Sequence, residues 1–191
     1  MSHSMALTIR KLTLAPLMAA VMLIYLYCVQ ADIFGSVDIL ALQLLFLSIF
    51  PLFAYPLQPV IPRYRDQGRE GQRHLAMIFA FVGYWFECIV NFNLNVEKEL
   101  SMIGWVYLLS GVLILFLNCL CELHVSGHGA GISAPVSLLI ALGHPEVLLV
   151  GIPMLLLVFT ASIKSKRHTI QQLVGGALIP VFLTMILARF I

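Results

Sequence analysis

Seven stretches of this chain are long, apolar and almost bare of charge, and they confine the fold more tightly than any motif in it. A helix that spans a bilayer needs roughly 20 predominantly apolar residues. Residues 12–31, 39–62 and 100–121 carry no charged side chain, and 75–95 carries only Glu87. The uncharged runs 129–143, 147–163 and 169–188 follow. Lipid offers no partner for backbone N–H and C=O groups, so such runs form helices. The expected fold class is all-α: a polytopic helical membrane bundle of about six or seven transmembrane helices. The fifth run is short, so its helix tilts or starts deep in the membrane behind a buried loop.

With 61% hydrophobic and 10% charged residues and a mean hydropathy of +0.99, the chain is neither an ordinary soluble domain nor a disordered one. The helices use nearly all of it, so residues 1–191 are read as one transmembrane domain, without internal repeat or low-complexity segment. Its one loop of any length is 59–74. Arg10 and Lys11 precede a run ending Val29-Gln30-Ala31, which loosely matches a signal-cleavage site. Signal cores span only about 7–15 apolar residues, so an uncleaved first helix is expected. A multi-pass protein of the cell membrane follows.

Cys28, Cys88, Cys119 and Cys121 all fall in apolar segments and read as buried small hydrophobes. No Cys-x-x-Cys spacing marks a zinc site. The charges are unevenly placed. Arg10 and Lys11, then Arg63, Arg65, Arg69 and Arg73, then Lys164, Lys166 and Arg167 all fall on one face of a seven-helix arrangement. Asp32, Asp38, Glu97, Glu99 and Glu146 fall on the other, opposed only by Lys98 and Arg189. The positive-inside rule makes the basic face cytoplasmic, unless its cations serve an anion site. The 63–73 arginines read most simply as a topology and anionic-lipid anchor.

Two polar clusters interrupt this apolar background: residues 122–132 (ELHVSGHGAGI) and 164–172 (KSKRHTIQQ). Ionisable groups at such depth are functional-site candidates. A phosphate ester is cleaved when a nucleophile, an acid and a set of oxyanion-holding groups converge. Histidine serves either of the first two roles near neutral pH, and Lys, Arg or a helix N-terminus serves the third. In the first cluster Ser126, Gly127 and His128 stand where a loop turns into a helix, and Gly127, Gly129 and Gly131 admit close backbone approach to an anion. The alternative is a small-residue entry that permits tight helix packing. In the second cluster His168 opens a helix after Lys164, Lys166 and Arg167. Gln172, one turn on, can bond the imidazole and fix its tautomer.

Ser126-Gly127-His128, with His168 opening a later helix, resembles the second and third signatures of the type 2 phosphatidic-acid phosphatase and vanadium haloperoxidase superfamily. Those read Pro-Ser-Gly-His, and Ser-Arg, five residues, His, three residues, Asp. The resemblance covers about the last 75 residues and implies a phosphatase-like core over about 100–191. It implies that His168 attacks phosphorus and that His128 protonates the leaving oxygen. Ser126, Gly127, His124, Lys164, Lys166 and Arg167 are then the substrate-holding groups, Gln172 is the orienting group, and no metal or other cofactor is needed. The departures are specific. Val125 replaces Pro, Ala161-Ser162 replaces Ser-Arg, Gln172 replaces Asp, and the first signature (Lys, six residues, Arg-Pro) is absent. His124 is expected in place of that lysine, and Lys164, Lys166 or Arg167 in place of the arginine.

Glu87 reads as a proton-relay carboxylate or, preferentially, as a buried partner of His124 or His128. The i, i+4 pair His124/His128 could bind zinc, but the glycines around it and the lack of a carboxylate at the right offset weigh against this. His3, His74 and His144 read as surface or interfacial residues. The expected function is hydrolysis of a lipid phosphate or diphosphate, with membrane lipids as surroundings and no nucleic-acid partner. The alternatives are a catalytically weakened lipid-binding or transport protein of the same fold, and a proton-coupled transporter using Glu87 and the histidines.

Overall fold

Each apolar run becomes a helix, and alternation of direction sorts the charges to two ends. The computed structural model describes residues 3–121 and 123–191; Glu122 and the side chain of His3 lie outside the described residues. Among those residues the regular structure is helical, with no strand. The helices are α1 (His3–Leu12), α2 (Ala15–Val29), α3 (Val37–Leu57), α4 (Gly68–Leu94), α5 (Lys98–Cys119), α6 (Gly127–Ala141), α7 (Leu148–Lys164) and α8 (Ile170–Leu187). Five are long and apolar enough to cross a membrane: α3, α4, α5, α7 with its lead-in from Pro145, and α8. A sixth span results if α1 and α2, which meet at a 48° bend, count as one. The chain is thus a multi-pass helical membrane bundle, with α6 as a shorter apolar helix of 15 residues.

Local chemistry explains the breaks. The α1–α2 bend falls where Leu14 is extended, and α2 restarts with Pro16 in its first turn, where a missing N–H costs nothing. In α3, Ser36 caps the start by accepting from Ile39 N, and the turn widens over Leu45–Ile49 just before Pro51, which cannot donate. Asn95 ends α4 in the left-handed conformation (φ 49°) that commonly closes a helix.

The packed centre joins α2, α3, α5 and α6 through Met22, Leu23, Leu26, Leu47, Ile103, Val106 and Leu138, all nearly free of solvent contact. Elsewhere helices approach on small residues. A Cβ on Gly129 of α6 would stand 2.6 Å from the Leu173 carbonyl oxygen of α8, and one on Gly176 would collide with the Ser126 backbone. A Cβ on Gly131 would collide with Ala15 of α2. At the end where α2 finishes and α7 begins, the Tyr25 hydroxyl donates to Glu146 Oε1 (2.9 Å), and His144 Nδ1 lies 3.2 Å from the same oxygen.

Three expectations need correction. The 59–74 loop is mostly helical: a short helix Pro62–Arg65 precedes α4, whose first turns already hold Arg69, Glu70 and Arg73. These are good helix formers, and the helix runs on past the apolar stretch that marked it. The first apolar run does not contain the first helix, because α1 lies before it and packs beside α7. The cysteines are not core: Cys28, Cys119 and Cys121 are exposed and Cys88 is half-buried. In a bundle whose outer surface is itself apolar, a small hydrophobe needs no interior position.

Candidate functional site

The site forms where the C-terminal end of α1 meets the N-terminal ends of α4, α6 and α8. A cavity of about 640 Å³ opens there. Arg10 and Lys11 from α1, Arg69 and Arg73 from α4, and Arg167 from the α7–α8 loop line it, together with His128 and His168. Among the described residues no carboxylate lines it. Deeper in, the walls are Leu14, Ala15, Met77, Ala80, Phe81, Ile114 and Ala134, and they reach Tyr84, Tyr107 and Ser110. The cavity is therefore cationic at one end and apolar along most of its length.

Two helix starts position the histidines. Ser126 is the N-cap of α6, with its side-chain oxygen accepting from Gly129 N (3.3 Å). That leaves Gly127 and His128 in the first turn. The preceding loop is held by Asn118 of α5, whose side chain donates to the Val125 carbonyl (3.2 Å). Thr169 is the N-cap of α8 in a reciprocal arrangement: Gln172 N donates to Thr169 Oγ1 (3.3 Å), and Thr169 N donates to Gln172 Oε1 (3.1 Å). His168 stands just before that cap. The two starts are tied directly, because Ser126 N donates to the Gln172 carbonyl (2.9 Å).

His128 Nε2 lies 3.1 Å from the Arg10 carbonyl. That carbonyl belongs to the last turn of α1 and has no helical partner of its own. A carbonyl only accepts, so Nε2 carries a proton, and Nδ1 is the nitrogen left to exchange one. His168 is half-buried, with Nδ1 buried and unpartnered. Burial, and then the charges of Arg10 and Arg73, push its pKa down to about 4; the Gln172 side chain and the His124 backbone oppose this only in part. At neutral pH the ring is uncharged, with a lone pair free to accept a proton or to attack.

The structure thus gathers His128, His168, Gly127 and Arg167 around one cavity. It puts the other anticipated residues to different uses. Ser126, fully buried, is a helix cap. Gln172 caps α8, and its side chain also hydrogen-bonds His168, which favours the charged form of that ring. The side chain of His124 is exposed, and its backbone is what meets His168. Lys164 and Lys166 are exposed, and neither lines the cavity. His124 and Lys166 both hold left-handed backbone (φ 52°), uncommon outside glycine. Of the three glycines, Gly129 and Gly131 serve helix packing, and only Gly127 has open space beside it.

The cations of α1 and α4 are legible only as basic-face residues, because no local spacing links Arg10 or Arg73 to site histidines 55 or more positions away. Glu87 has a different partner from those expected. It is fully buried, and its Oε1 accepts from Asn91, one turn on (3.1 Å). Asn91 in turn accepts from Gln43 of α3 (2.6 Å). The carboxyl fills the space left by Gly104 of α5, and neither His124 nor His128 pairs with it. His74 is exposed and His144 is half-buried against Glu146. Among the described residues no three His, Cys, Asp or Glu side chains stand close enough to hold a metal ion.

No family model, curated protein or solved structure matches the chain.

Proposed function

We propose that the protein is an integral-membrane phosphatase acting on a lipid phosphate or diphosphate, with His168 as nucleophile and His128 as proton carrier. One observation carries this reading. Five cationic side chains and two histidines line a single cavity in which, among the described residues, no carboxylate stands, and most of the rest of its wall is apolar. Such a site suits an anionic head on an apolar tail. The resemblance of Ser126-Gly127-His128 and His168 to the signatures of type 2 phosphatidic-acid phosphatases points the same way.

Neutral His168 attacks phosphorus as the bond to the leaving oxygen breaks, and His128, which takes up a second proton on Nδ1 as the anionic head enters, delivers that proton to the leaving oxygen. His128, now neutral, takes a proton from water as the water attacks the phosphohistidine. Inorganic phosphate leaves and His168 is regenerated. The cationic rim stabilises charge on the phosphoryl oxygens throughout.

The experiment is phosphate release by purified protein in detergent, from phosphatidate, phosphatidylglycerol phosphate and a polyprenyl diphosphate. His168→Ala and His128→Ala are each expected to abolish turnover while the protein stays folded. The double variant should be hardly worse, because residues that act as one unit are not additive. Turnover persisting in His168→Ala would refute the assignment. A wild type inert on all three lipids would favour a binding protein.

A further inference from the structure

We propose that Arg10, carried on α1, supplies the guanidinium that holds the phosphoryl group, replacing the arginine that the second cluster lacks. This rests on the lipid-phosphate reading above. In the resembled signature an arginine precedes the histidine by six positions, and here that position is Ser162. Ser162 is fully buried near the end of α7, and Arg10 Nη1 donates to its hydroxyl at 2.5 Å. A guanidinium arriving from a helix 152 positions away therefore lies against the very site that the chain leaves without one.

Three further observations agree. Arg10 lines the cavity beside both histidines, and its charge acts on His168. Among the described residues no carboxylate pairs with it. Its flat fork has five N–H donors, of which Ser162 takes one, and a phosphoryl group is the ligand that such a fork grips bidentately. Lys164 and Lys166 do not line the cavity, and Arg167 touches Ser162 through its backbone: Arg167 N donates to the Ser162 carbonyl at 3.0 Å. The α1 helix is thereby part of the site, with its carbonyl on His128 and its guanidinium beside the reacting phosphate.

The test compares wild type, Arg10→Gln, Arg10→Ala and the swap Arg10→Ala with Ser162→Arg in detergent. One readout is phosphate release from a short-chain phosphatidate. The other is the thermal stabilisation given by orthovanadate, a tetrahedral phosphate mimic that needs no turnover. Arg10→Gln retains a donor for Ser162 and should fold. It should lose about 100-fold or more in rate, the loss typical of removing one oxyanion donor. Vanadate affinity should fall about ten- to hundredfold. The swap should recover at least tenfold over Arg10→Ala. A purely structural role would lower the unfolding temperature and leave the vanadate response intact, and that result overturns the proposal.

An active wild type with Arg10→Gln within threefold also overturns it, and leaves the phosphatase reading standing. A wild type inert on lipid phosphates sinks that reading, yet vanadate binding that depends on Arg10 would still support the anion-holding role. A folded but inactive swap, with Arg10→Gln impaired, overturns the equivalence with position 162. If the swap does not fold, Arg10→Gln decides.

Discussion

Replacing Gly129 by Ala adds one methyl group at the α6–α8 crossing, and the structure says where it lands. The new Cβ would stand 2.6 Å from the Leu173 carbonyl oxygen and 3.3 Å from Ala177 N. An ordinary contact between non-bonded heavy atoms is about 3.5 Å, so the helices must part by roughly 0.9 Å. Both obstacles are helix backbone, which cannot swing aside as a side chain does. Overpacking of this kind costs about 1–3 kcal/mol, equivalent to about 2–12 °C in unfolding temperature for a chain of this size. Gly127→Ala, two residues earlier, meets nothing within 4 Å and should fall within about 0.5 kcal/mol of wild type. Unfolding followed by tryptophan fluorescence in one detergent compares the two. Phosphate release should fall in Gly129→Ala by about 100-fold, since an ångström of misplacement has that effect on oriented groups. Equal unfolding temperatures for Gly129→Ala and wild type would refute the argument, as would equal losses for the two variants.

The pKa of His168, pushed down to about 4, gives two expectations. Phosphate release should persist as pH falls through 6.5, the range where an ordinary histidine protonates, and be half lost only near 4; Arg73→Gln removes a charge that depresses the pKa and should move that limb upward. Because the folded-state value is depressed, the neutral ring stabilises the fold fully above pH 6.5, and that contribution is lost as pH falls from 6.5 toward 4. It amounts to no more than about 3 kcal/mol at 1.36 kcal/mol per unit, read as a shallower acid melt in His168→Phe. Glu87→Gln keeps an acceptor for Asn91 and the volume against Gly104, so it should unfold within about 1 kcal/mol of wild type, whereas Glu87→Ala leaves a void and one unpaired N–H on Asn91 and should lose about 2–4 kcal/mol. Since no three ligating side chains converge among the described residues, phosphate release should survive EDTA; abolition with rescue by zinc or magnesium would contradict this.

The elements readable from sequence were those whose cause is local. Uncharged runs of bilayer length marked helices because a lipid-embedded backbone has no other partner for its polar groups. Ser126 and His168 marked helix starts because capping chemistry is written within four residues. The rest depended on which helices touch. Whether Gly129 serves an anion or a neighbouring helix is decided by α8, more than 40 positions on, and no spacing within the cluster reveals it. Arg10 reads as topology signal until α1 is seen folded back beside α7. Glu87 invited a histidine partner because an isolated buried carboxyl is costly, yet Gln43 and Asn91 met the need with neutral groups.

The crossing of α6 and α8 can also be viewed as a pivot. His128 is one residue from Gly129, and the first residue of α8, Ile170, is three residues from Leu173. At 1.5 Å per residue those are lever arms of about 1.5 and 4.5 Å. A 5° rocking of one helix on the other moves the longer arm by only about 0.4 Å. Ser126 N bonded to the Gln172 carbonyl adds a second tether on the same side. Rocking of one helix on the other is therefore larger toward the far ends of these helices and small at the helix starts beside the two rings.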